Sequence, residues 1–146
     1  MTTAKKAGLK LADLDARTKS DTPFRFEYIL PNGDGSGVFL HVLGAQSAKV
    51  TAEVNRLLND RRRKEAFAEA QRRVSTRRNE EFTPVEDDIE FGHRLAAVRL
   101  VGWEGLEEPY SPAAGLSLIQ SNQHIADQVA EQSGALENFM QGSPKT

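Results

Sequence analysis

The residues of this chain that could take part in chemistry are few and scattered. There are three histidines and no cysteine. His41, His93 and His124 lie far apart, and none has a second histidine or a carboxylate at a ligand spacing such as H-E-x-x-H. A thiolate metal site and a disulfide framework are both ruled out. Gly33-Asp34-Gly35-Ser36-Gly37 is rich in glycine, but no helix or Gly-Lys-Ser/Thr end follows it, so it reads as a hairpin loop and not as a phosphate cradle. The carboxylates Glu86, Asp87, Asp88 and Glu90 lack the alternation and the glycine of a calcium loop. Their place at the start of a helix accounts for them, because negative charge is favourable at the positive end of the helix dipole. No catalytic residue, metal ligand or cofactor site is expected.

One cluster carries more weight. Arg61, Arg62, Arg63 and Lys64 are followed by Arg72 and Arg73, and from Arg56 to Arg78 nine basic residues face three acidic ones. Such a run could hold phosphate backbones. Three points favour a solvated or protein-facing surface instead. The chain has a net charge of −2, the segment from Glu80 to Glu108 holds nine acidic residues against Arg94 and Arg99, and no strand shows an RNA-binding aromatic pattern. Nucleic acid is therefore an unfavoured partner.

The elements that must carry these residues follow from periodicity. Phe24, Phe26, Tyr28 and Leu30 alternate with Arg25, Glu27 and Ile29, the pattern of a half-buried strand. After the turn signal beginning at Pro31, Val38–Leu43 reads as a second strand, which makes a β-hairpin over 24–43. A hairpin alone is marginal in water, so it must pack on helices or pair with a second copy. Ser47 is expected to cap a long helix over 48–76 that packs at its start and runs into solvent at the charge cluster. Thr83, Pro84 and Glu86 form a capping-box start for a central helix. Its apolar residues run on to Val101, with Gly102 as the stop and the lone Trp103 just beyond, so this stretch is expected to be the packing centre. Ser111-Pro112 opens a further helix, another begins near Asn122, and a third covers Ala135 to Met140.

The expected class is α+β, with an N-terminal β-hairpin, a long charged helix and a mainly α-helical C-terminal half. The organisation is a flexible arm over 1–22, one domain over 23–140 with a helical bundle over 84–140, and a tail over 141–146. At 146 residues with 38% hydrophobic and 27% charged residues, one modest core is the expectation. No run approaches the ~18 apolar residues of a membrane span, and the lysine-bearing start lacks the apolar stretch of a secretory signal.

The C-terminal half also resembles a known family, the tail assembly chaperones of long-tailed phages and prophages. The resemblance rests on Arg94-Leu95-Ala96-Ala97-Val98-Arg99-Leu100-Val101-Gly102-Trp103 and on Glu108-Pro109-Tyr110-Ser111-Pro112. It continues through Leu116, Leu118-Ile119, the stretch from Ile125 to Val129, and Asn138-Phe139. It covers about residues 22–140. It implies a non-enzymatic factor of the bacterial host cytoplasm that binds the tape measure protein, and through it meets the tail tube protein, and that is absent from the finished virion. It also implies that Phe91, Leu95, Trp103, Tyr110, Leu116 and Ile119 form the core or line a partner groove. On this reading the hairpin and the basic helix mediate self-association or tube contacts. A structural tail or connector subunit is the first alternative, and a small nucleic-acid-binding regulator the second.

Overall fold

The computed structural model describes residues 8–74 and 84–140. Thr83, the expected cap of the central helix, the last residues of the expected 48–76 helix, and the tail over 141–146 lie outside the described residues. A short 3-10 turn (Leu11–Leu14) and a one-turn helix α1 (Ala16–Lys19) lead into strand β1 (Phe24–Ile29) and strand β2 (Gly35–Val42). The long helix α2 (Ala48–Val74) and helix α3 (Pro84–Arg99) follow. Next come strand β3 (Leu100–Glu104) and helices α4 (Pro112–Ser121) and α5 (Gln123–Gly134), and a 3-10 turn (Leu136–Asn138) closes the described chain. The class is α+β. In the first segment Leu9, Leu11 and Leu14 are exposed, while Ser20 is buried beneath Gly44, whose N–H donates to the Ser20 carbonyl.

The hairpin forms with the expected alternation, Phe24, Phe26 and Tyr28 facing the core; Phe24 pairs across to Val42 and Phe26 to Leu40, and the register shifts between Glu27 and Ile29. Its second strand starts earlier than the apolar run suggests, at Gly35 opposite Ile29. The loop is held by the Leu30 N–H donating to Asp34 and by Gly33 at φ +95°, a conformation that glycine tolerates.

The main correction concerns the stretch after Arg99. The central helix does not run on to Gly102. It stops at Arg99, and Leu100–Glu104 pairs antiparallel with β2, so the sheet has three strands in the order β1-β2-β3. Leu100, Val101 and Trp103 are β-branched, aromatic or bulky apolar residues that suit either element. The open edge of β2 supplies the backbone partners that decide between them. The same strand removes the need for a second copy to stabilise the hairpin.

Three helices cover one face of this sheet. Leu40, Val42, Leu100, Ile119 and Val129 are at most 1% exposed and form the centre of the core, with Phe26, Tyr28, Ala96, Ile125, Ala126 and Phe139 around them. Trp103 packs at the margin of this cluster and is only partly buried, so the core centres on Leu40 and Leu100 and not on the tryptophan. Several caps are as read from the sequence. The Ser111 hydroxyl accepts from the Ala114 N–H with Pro112 at the first helical position, and Ser47 accepts from Lys49 and Val50. Asn122 caps α5 through its carbonyl oxygen. The third C-terminal helix is only the 3-10 turn at Leu136–Asn138.

Candidate partner groove and charged arm

Helix α2 runs antiparallel to α3. Lys49 lies by the C-terminal end of α3, Leu57 by Arg94, and Arg61 by Asp88 and Phe91. At 27 residues α2 is about 40 Å long at the helical rise of ~1.5 Å per residue. Only its first turns reach the body, and Val50 is its one fully buried side chain. Beyond Leu58 it is held to the fold chiefly through Arg61, whose guanidinium pairs with Asp88 and lies 4.5 Å from the centre of the Phe91 ring.

The basic run is largely engaged along its own helix. Arg63 pairs with Asp60, Arg72 and Arg73 share Glu69, Arg61 also reaches Glu65, and Arg56 lies between Glu53 and Asp60. These are exposed i,i+3 and i,i+4 pairs, each contributing a few tenths of a kcal/mol to a helix that little else supports. Arg62 and Lys64 are exposed on the same stretch. A surface that spends most of its guanidinium groups on neighbouring carboxylates is poorly prepared for phosphate.

Where α2 leaves the body, a groove of about 300 Å³ opens between α2, α3 and α4. Its floor is Leu57, Ala97, Val98, Val101 and Leu116, and its rim carries Lys49, Glu53, Arg56 and Arg94. Tyr110 closes one end. Its hydroxyl donates to the Leu100 carbonyl at 2.7 Å, its ring meets Trp103 edge-to-face at 5.2 Å between centroids, and burial pushes its phenol above the usual range. Trp103 in turn donates its indole N–H to the Glu108 carbonyl at 2.8 Å. Gly115 keeps this corner tight, since a Cβ there would come within 2.9 Å of the Tyr110 ring.

The structure therefore separates the six residues expected to meet a partner. Tyr110 and Leu116 line the groove, and Phe91 lines its extension beside Arg61. Leu95 is half-buried on α3, and Trp103 braces Tyr110 from behind. Ile119 is fully buried in the core cluster, the first of the two places expected for these residues, and takes no part in the groove lining. Leu57, Val98 and Val101 are groove residues that the periodicity placed on helices without marking them as a surface. The signal was present in Leu57-Leu58, an apolar pair just before the charge cluster.

On the solvent face of the sheet lies a polar cluster that sequence reading missed. Arg25 makes a two-point contact with Glu104, at 2.9 and 3.1 Å, and stacks 3.9 Å from the centre of the Phe39 ring. His41 Nε2 lies 2.7 Å from Glu104 Oε2. The Arg25 hydrogen bonds, and then that of His41, hold the Glu104 carboxyl below its usual range. His124 is paired with the Tyr28 hydroxyl at 2.9 Å and His93 with the Gln123 side chain at 2.9 Å, so each histidine has a structural partner. Among the described residues no group of three or more histidines and carboxylates could hold a metal ion, and no helix is long and apolar enough to cross a membrane.

No protein-family model matches this chain, and neither the curated proteins nor the solved structures contain a match.

Proposed function

We propose that this protein is a non-enzymatic assembly chaperone that shelters an amphipathic helix of a larger partner in the groove between α2, α3 and α4. The observation that carries this reading is the groove itself, with its apolar floor from Leu57 to Leu116 and a rim bearing both signs of charge at Lys49, Glu53, Arg56 and Arg94. That is the surface a helix with one apolar face and charged flanks fits, by helix-in-groove packing. The resemblance of residues 22–140 to tail assembly chaperones supplies the identity of the partner. It is the tape measure protein of a long-tailed phage, a long helical chain that needs cover until the tail tube protein has polymerised around it. The work is done in the cytoplasm of the bacterial host, and the chaperone leaves before the particle is finished. Several copies along one tape measure chain would gain by multivalency.

The test is co-purification during particle production, paired with a search for the protein in finished particles. A large helical protein recovered with the wild type, lost with Leu57→Glu, and no chaperone in the particles is the expected result. Leu57 is only partly buried, so circular dichroism of the variant should match the wild type. Recovery of the chain from particles at fixed copy number would make it a structural tail or connector subunit instead. Nucleic acid as the sole companion would overturn the chaperone reading.

A further inference from the structure

The far half of α2 is nearly bare. From Arg62 to Val74 every residue except Ala68 is exposed, and on α3 so is every residue from Val85 to Glu90. Two open clefts lie between the helices. One, of about 510 Å³, is lined by Lys64, Ala68 and Arg72, the other, of about 550 Å³, by Arg56, Leu57 and Phe91, and Arg61 lines both. The helices are therefore bridged at this point and not packed. The bridge is the Arg61 side chain, which pairs with Asp88 and lays its guanidinium 4.5 Å from the centre of the Phe91 ring. That side chain is 31% exposed, whereas Arg56, Arg63, Arg72 and Arg73 are each at least 50% exposed.

The bridge bears on the groove through the geometry of α2. Lys49, Glu53, Arg56 and Leu57 form the α2 wall of the groove. The start of α2 is fixed by Val50, which is 1% exposed, and by Ser47, whose hydroxyl donates to the Asp21 carboxylate. At the helical rise Leu57 lies ~10 Å and Arg61 ~16 Å from Val50, so turning α2 about its packed end moves the wall by about two thirds of the movement at Arg61. A groove of about 300 Å³ is at the lower limit of what a drug-sized ligand fills, and the apolar face of a helix is larger. The wall has to move outward to admit one, and beyond Leu58 the contact that resists this is Arg61. We infer that Arg61 is a latch on the groove. Closed on Asp88 and Phe91, it holds α2 near α3 and keeps the groove narrow. Released, it lets α2 swing out on Val50 and admit the partner helix. Arg61 is thus a positioning residue that acts through the wall, and the latch rests on the chaperone reading of the groove. The free protein is mostly closed, so its apparent affinity is lowered by the small size of the open fraction.

Two measurements test the latch, the first without any partner. Arg62→Cys and Ser117→Cys place spin labels at two exposed sites, on the arm and on α4, in a chain with no other thiol. Electron–electron resonance should give one arm-to-body distance, and adding Asp88→Asn or Arg61→Gln should bring in a second, longer one. In the second measurement the unlabelled Asp88→Asn and Arg61→Gln variants should recover more of the helical partner than the wild type, up to about fivefold, the most that loss of an exposed ion pair supports. The reversed pair, Arg61→Asp with Asp88→Arg, should return both readings toward the wild type. Distances unchanged in both variants overturn the latch whatever the groove binds. A second distance with recovery unchanged or reduced overturns its hold on the groove. Recovery of no helical protein by the wild type is the failure of the chaperone reading itself, and it takes the gating role with it even where the arm opens.

Discussion

At the scale of single residues, the corner built from Tyr110, Trp103 and Gly115 joins the groove to the core. The Tyr110 hydroxyl satisfies the Leu100 carbonyl just where α3 gives way to β3. Removing it as Tyr110→Phe leaves that carbonyl without its partner and should lower stability by about 1 kcal/mol, measured by denaturant unfolding. The ring still fills the end of the groove, so partner recovery should hold. Glu104 is the other informative side chain. Its carboxyl titrates below its usual range because Arg25 and His41 bond to the charged form. A carboxylate depressed in the folded state contributes stability above its unfolded pKa of about 4.3 and loses it as pH falls through the lower folded value. Glu104→Gln should therefore lower stability slightly at neutral pH and flatten the acid limb of a stability-against-pH profile, the variant and the wild type converging as pH falls. The site is exposed and the effect correspondingly small.

At the scale of elements, α2 divides into two parts held by different forces. Val50 and the neighbouring turns are packed, whereas the segment from Arg62 to Val74 relies on intrahelical ion pairs and the single anchor of Arg61. Amide hydrogen exchange should show the difference, with exchange from Arg62 to Val74 faster by at least tenfold than from Val50 to Leu57. Equal protection along the whole helix in dilute solution would contradict this. The strand β3 shows the opposite case, an element whose own sequence is ambiguous and whose identity comes from its neighbour. Its pairing with β2 has a register shift between His41 and Val42, which lets both Leu40–Trp103 and Val42–Leu100 meet on the core side.

At the scale of the whole molecule, a three-stranded sheet backed by helices forms a small rigid body, and α2 with the start of α3 projects from it. The body supplies the groove floor through Ala97, Val98, Val101 and Leu116, and the arm supplies Leu57 and the charged rim. This division should let Leu57→Glu disable partner binding without touching the core.

The sequence by itself determined what depends on local pattern. The alternation from Phe24 to Leu30, the caps at Ser47, Ser111 and Asn122, the long charged helix and the α+β class can each be read from spacing and side-chain type within a few residues. Tertiary structure alone decided whether Leu100–Glu104 extends a helix or joins a sheet, because an apolar run fits both and only the open edge of β2 favours one. It also decided that Ile119 is core while Leu116 and Tyr110 line a groove, since the apolar stripe of a helix does not say which residues meet the body and which stand at its rim. The cluster of Arg25, His41 and Glu104 joins three strands across separations of up to 79 residues, and the pattern within any one strand carries no trace of it.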